Sequence, residues 1–158
     1  MTINVEIEDY GEISLKFLVM DLNGTISSYG NLHPIIKTLI EELKKNLEIY
    51  LLSADTYGNA ANIADDMGIR LQILQQEQSG AEEKASFVKK LGNEHVVALG
   101  NGRNDWKMLQ AAKIGIGIIG EEGIAQKALI HSDLLVKSPK EALELLKNPQ
   151  SLRATLRG

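Results

Sequence analysis

The stretch Val19-Met20-Asp21-Leu22-Asn23-Gly24-Thr25 ends an apolar run in a carboxylate, where a glycine turn begins. Burying an acid at such a point costs free energy unless something pairs with it, so the position suits chemistry better than packing. Upstream, Phe17, Leu18, Val19 and Met20 are apolar on both faces, as in a strand inside a parallel sheet. Downstream, Pro34 falls at a first helical position, and Ile35, Ile36, Leu39, Ile40 and Leu43 recur at helical spacing.

Outward from this strand–turn–helix unit the alternation repeats. Residues 5–16 alternate with period two around Tyr10-Gly11, which predicts a β-hairpin whose second strand runs on into 17–20. Strands are expected over 47–52, 71–74, 95–99, 114–119 and 133–136. Helices are expected over 58–67 (closed by Gly68), from Ser79 to 91, over 104–112, near 124–130, and over 138–147, where Ser138, Pro139 and Glu141 form a helix start. Strands alternating with helices of about ten residues imply βαβ units. The expected fold is therefore α/β, a three-layer Rossmann-like domain with a parallel central sheet and an N-terminal β-hairpin. The polar tail 148–158 reads as a surface segment.

At 158 residues and 17.3 kDa the chain is expected to be one domain, 1–158, long enough to bury a core. A formal charge of −4 without basic clusters argues against nucleic-acid and anionic-membrane partners. Zero cysteines exclude disulfides, thiolate catalysis and Cys-ligated zinc, and fit a cytoplasmic setting. The acid-studded start does not read as a signal peptide, and the apolar run 114–119 is too short to span a bilayer.

In open parallel sheets, ligands bind beyond the carboxyl ends of strands. Asp21 sits at one such end, Ser53-Ala54-Asp55 at the next, and Gly100-Asn101-Gly102-Arg103-Asn104-Asp105 at a third, with Lys84 early in the preceding helix. An aspartate nucleophile can take a phosphoryl group as a mixed anhydride. Mg²⁺ would neutralise the charge through oxygen ligands, Ser53 and Lys84 would hold phosphoryl oxygens, and Gly24 and Gly102 would let backbone approach the anion. Each residue also has a plain reading. Asp21 and Asp55 could be capping acids, Ser53 a turn residue, Lys84 a solvated helix lysine with Lys89 as its substitute, and Arg103 and Trp106 ordinary surface groups. The three histidines, His33, His95 and His131, lack metal-ligand spacing.

Taken in order, these motifs resemble those of the haloacid dehalogenase superfamily, and more narrowly the phosphorylation domain of P-type ATPases. Asp21-Leu22-Asn23-Gly24-Thr25 is similar to its D-x-x-G-T box, and Ser53-Ala54-Asp55 to its T-G-D box. The motif lysine falls on Lys84, residues 100–105 resemble its G-D-G-x-N-D box, and Gly115 to Gly120 the stretch after it. The resemblance spans about residues 17–146 and implies Mg²⁺-dependent phosphohydrolase or phosphotransferase chemistry on a small phosphorylated substrate. It makes Asp21 the nucleophile, assigns Asn23, Gly24, Thr25, Ser53, Ala54 and Lys84 to phosphate, and assigns Asp21, Asn23 (by its carbonyl), Asn101 and Asp105 to the metal.

The chain also departs from that pattern. The gaps between the boxes hold no domain of the usual minimum of roughly 50 residues, so the resemblance is to a free-standing, capless, soluble form. In most phosphatases of the superfamily the residue two after the nucleophile is an acid that protonates the leaving oxygen and later activates water. Asn23 cannot donate that proton, which favours leaving groups that depart as stable anions and implies slow turnover. Asn101 replaces an acidic metal ligand, removing one negative charge. Three readings follow: a slow aspartyl-phosphate enzyme, a phosphate-binding or regulatory protein that has lost turnover, and an interaction module whose hairpin builds a homo-oligomer.

Overall fold

Six strands lie side by side in one parallel sheet, in the order β5-β4-β3-β6-β7-β8, with a separate antiparallel pair β1-β2. The computed structural model describes residues 1–55 and 58–158. Its elements run β1 (Ile3–Ile7), β2 (Gly11–Leu15), β3 (Phe17–Asp21), α1 (Pro34–Leu43), β4 (Glu48–Ser53), α2 (Ala60–Met67), β5 (Arg70–Ile73) and α3 (Gly80–Leu91). They continue β6 (Val96–Gly100), α4 (Trp106–Ala111), β7 (Ile114–Ile118), α5 (Gln126–Ile130), β8 (Leu134–Val136), α6 (Pro139–Lys147) and α7 (Pro149–Leu156). The architecture is the three-layer α/β fold with parallel central sheet and N-terminal hairpin that the sequence pattern predicts.

The apolar strands serve two cores because alternate side chains face opposite ways. Leu18, Met20, Val97 and Leu99 pack with α1, α2, α6 and α7, whereas Val19, Val96 and Ala98 pack with α3, α4 and α5. Helix starts follow the local chemistry. Ser79 accepts the Glu82 N–H, Ser138 accepts the Glu141 N–H, and proline occupies the first turn of α1, α6 and α7. Helix α3 carries Glu82 and Glu83 in its first turn and Lys89 and Lys90 in its last, matching the helix dipole.

Three expectations need correction. Strand β2 does not run on into β3, because the chain breaks register at Lys16, whose N–H goes to His95 O and whose O takes Glu48 N–H. His95, given no role from sequence, ties the hairpin to the sheet through Nδ1 and Ser14 O, 2.8 Å apart. Second, the tail is not a surface segment, since α7 buries Leu152 and Leu156 in the same core as the hairpin's Ile3, Val5 and Ile7. Two well-spaced leucines sufficed to bury one stripe of a polar helix. Third, α2 and α4 begin later than expected. A single 3₁₀ turn, Arg103–Asp105, precedes α4, and Asp55 accepts the Ala60 N–H at 2.9 Å, so it caps the start of α2. Tyr57, beside which that cap was expected, lies outside the described residues. The hairpin's apolar side is consumed within this chain's own core.

Candidate functional site

The chain lays down β3, β4 and β5 in one direction and then returns to place β6 on the other side of β3. That reversal opens a crevice at the carboxyl ends of β3 and β6, where such sheets bind ligands. Register brings the candidate residues there. Asp21 pairs with Leu52, placing Ser53 next along on β4. Met20 pairs with Leu99, placing Gly100 and Asn101 beside the end of β3.

Lys84 joins the two acids. It lies on the inner face of α3 with Ala81, Ala85 and Val88, and is 1% exposed. Its ammonium reaches Asp21 Oδ1 and Asp105 Oδ1, each at 2.6 Å. Lys89, the substitute considered from sequence, is exposed on the far side of the helix. Asp105 is fully buried, and its Oδ2 accepts the N–H groups of Asn101 at 3.0 Å and Gly102 at 2.9 Å. Both its oxygens are thus engaged in fixing the lysine and the 100–105 loop.

The Thr25 hydroxyl lies 3.1 Å from Asp21 Oδ2 and 3.2 Å from Asn101 Oδ1, tying the first loop to the third. The first loop is tight: Leu22 O receives the N–H groups of Thr25, Ile26 and Ser27. Gly24 adopts φ +77°, and a Cβ there would come within 2.5 Å of Asn101 Nδ2, so both conformation and space demand glycine. Gly100 is similarly required, because a Cβ would lie 2.6 Å from Asp105 Cβ. Ser53 Oγ accepts the Asp55 N–H at 2.8 Å, which leaves its own proton to donate elsewhere. Asp55 achieves this in the left-handed region, φ 54°, an uncommon conformation for a residue with a side chain. Asn23 is exposed at the mouth of the site, and Ala54 is half-buried.

Sequence reasoning missed the braces around this set. Asn101 is fixed from behind, its O accepting the Ala125 N–H at 2.8 Å and its Nδ2 donating to Gly123 O at 3.2 Å. Glu121 accepts the Ser28 hydroxyl and Glu122 the Tyr29 N–H, holding the loop that follows Gly24. Nothing in a Glu-Glu-Gly turn signals that partner, since the contact spans about 90 residues of sequence.

Burial and then the neighbouring Asp105 charge, against the opposing pull of Lys84 and Thr25, raise the Asp21 carboxyl to about 6. Burial would lower Lys84, but the Asp105 and Asp21 charges outweigh it and the ammonium is held charged. With both carboxylates ionised, the buried trio holds two negative charges against one positive. Folded Asp21 binds its proton more tightly than an unfolded aspartate does. Stability from this group is full below about pH 4 and is lost as pH rises through about 6. Asp21→Asn should consequently stabilise the cation-free protein by about 1–3 kcal/mol at pH 7.5, with a smaller gain at pH 4. Denaturant melts in a chelator check this, and an equal or lower stability at pH 7.5 would contradict it.

Among the described residues, no three His, Cys, Asp or Glu side chains group as a metal site. The oxygen donors at the crevice are Asp21, the Asn101 amide and the loop carbonyls. No helix among the described residues is long and apolar enough to cross a membrane.

No family model matches the chain. It is 38% identical over 90 residues to the uncharacterized protein MJ0073 of Methanocaldococcus jannaschii, covering 53% of this chain and 97% of that protein. It is 35% identical over 110 residues to the probable copper-transporting ATPase HMA5 of Arabidopsis thaliana, covering 68% of this chain but 11% of the ATPase. In structure it is similar to the 3-deoxy-D-manno-octulosonate 8-phosphate phosphatase of Moraxella catarrhalis, with a TM-score of 0.70 and 20% identity over 90% of this chain and 94% of that one. In its sheet order and helix layers the chain has the fold of these phosphatases, which it shares with solved hydrolases of the haloacid dehalogenase superfamily. The chain spans only about a tenth of the length of the ATPases it matches.

Proposed function

We propose that this chain is a phosphohydrolase or phosphotransferase that forms an aspartyl-phosphate on Asp21 and releases it slowly. The observation that carries this reading is the buried Lys84 ammonium, shared at 2.6 Å between Asp21 and Asp105 at the sheet's switch point. An Asp21 oxygen attacks phosphorus, the bond from phosphorus to the leaving oxygen breaks, and the leaving group departs with the electron pair. Water then attacks the same phosphorus, returning the carboxylate and releasing phosphate. Lys84 and the Ser53 hydroxyl hold phosphoryl oxygens, the loop at Asn23, Gly24 and Thr25 and the turn at Ala54 enclose them, and Thr25 keeps Asp21 aimed.

The Moraxella phosphatase was solved in complex with a magnesium ion and a phosphate ion. Here the donor set fits a hard divalent cation such as Mg²⁺, which commonly takes one or two carboxylates and completes its shell with water and substrate phosphate. Asp21, the Asn101 amide oxygen and the Asn23 carbonyl would hold it, and Asp105 would support it from behind through Lys84 and the loop. When bound it supplies positive charge to the phosphoryl oxygens.

Asn23 and Asn101 together favour a second reading, a phosphate-binding or regulatory protein with little turnover. Intact-protein mass after incubation with acetyl phosphate and Mg²⁺ separates the two. A phosphoryl adduct on the wild type, absent from Asp21→Asn, is the expected result. No adduct and no released phosphate would leave the binding protein as the better account.

A further inference from the structure

A cavity of about 290 Å³ lies at the same end of the sheet, between the loop after β3 and the loops after β7 and β8. Gly24 and Thr25 form one wall, so it abuts the loop whose Thr25 hydroxyl touches Asp21. Ile26, Ile35 and Ile36 supply apolar surface, and Lys137, Lys140 and His33 supply donors. His33 Nδ1 accepts the Ile35 N–H at 3.2 Å, which puts the proton of a neutral ring on Nε2 as a donor. Lys140 is drawn to Glu144 at 3.6 Å, whereas Lys137 forms no ion pair among the described residues. Glu121 is the acid of the lining, and its Oε2 already accepts the Ser28 hydroxyl at 3.0 Å. At roughly 30 Å³ per water, the space equals about ten waters, enough for a chain of several carbons.

We propose that this cavity receives the leaving group of the substrate, and that this group carries a second anion, making the substrate class phosphorylated organic acids. The inference rests on the reading of Asp21 as phosphoryl acceptor. The isoleucines take the carbon skeleton, and Lys137 with His33 takes the carboxylate. A neutral polyol would leave the apolar surface poorly matched and the lysine without a counter-charge.

The test is calorimetry on the Asp21→Asn chain with Mg²⁺, using 3-phosphoglycerate and glycerol 3-phosphate. These share one carbon skeleton and differ by a carboxylate in place of a hydroxymethyl group. The acid should bind about five- to tenfold more tightly, the range of a partly exposed charge pair with an added hydrogen bond. Lys137→Ala should cut the difference below about twofold and Lys137→Arg should keep it, while acetyl-phosphate labelling is checked on the wild-type chain. Equal affinities, no binding of either compound, or a preference that survives Lys137→Ala would overturn the proposal. Normal labelling with equal affinities defeats this inference alone, whereas absent labelling defeats the Asp21 reading and this inference with it.

Discussion

On the proposed mechanism, Asn23→Asp should speed loss of the phosphoryl group from Asp21 by roughly 10²–10⁴-fold, the usual worth of a positioned general acid–base, or about 3–5 kcal/mol of barrier. Asn23 is exposed, two residues beyond Asp21, on a loop whose backbone is fixed by three N–H groups on Leu22 O. The new carboxyl would therefore stand where the amide now stands. It would also lie beside a trio already carrying an excess negative charge, which raises its affinity for a proton and suits it to serve as the acid. Fold stability should change by no more than about 0.5 kcal/mol, as for an ordinary surface substitution. Adduct lifetime by intact mass, after removal of acetyl phosphate, gives the result directly. An unchanged lifetime would mean that something other than the missing acid limits turnover, with the negative charge lost from the proposed metal set at Asn101 the next cause to examine.

The strands and the order of the motifs were legible because their signals are local. A strand apolar on both faces, an acid at its end and a proline-led helix can be read within about ten residues. Lys84 was legible only in part. Its spacing with Ala81, Ala85 and Val88 puts a lysine on an apolar stripe, yet a helix lysine is ordinarily solvated, and its two carboxylates lie 63 and 21 residues away. The buried α7 was misread because one narrow apolar stripe on a polar segment gives a weak signal, and what fills it is the hairpin at the other end of the chain. The break at Lys16 was invisible for a related reason. Alternation shows that both segments are extended, but whether they share a sheet depends on partners such as His95 and Glu48. The same holds for the Asn101 braces at Gly123 and Ala125. Local patterns specify elements, and contacts distant in sequence decide how the elements join.

Lys84→Met should be the most damaging change at the site, destabilising the protein by about 3–5 kcal/mol, which lowers Tm by about 10 °C or more at this size. Methionine fills much of the volume but leaves Asp21 and Asp105 buried without their shared cation. The sign of the pH dependence follows from which groups remain. In the wild type the folded Lys84 is raised, so its contribution is complete at neutral pH and is lost only as pH climbs beyond the ordinary lysine range. In the variant Asp21 has lost the cation that draws its carboxyl down, so it binds its proton still more tightly folded than unfolded. The variant's stability is then best preserved below about pH 4 and falls as pH rises. The deficit should thus be larger at pH 8 than at pH 4.5, and a second change, Asp105→Asn, should recover part of it. Thermal melts of the single and double variants at the two pH values decide this. A deficit that does not depend on pH would show that Lys84 acts through packing alone. Buried ion clusters are poor devices for stability, since apolar replacements of the whole set are often neutral or better. A trio short of one positive charge, open through Asp21 at the sheet's switch point, suits the proposed phosphoryl transfer better than it suits a core.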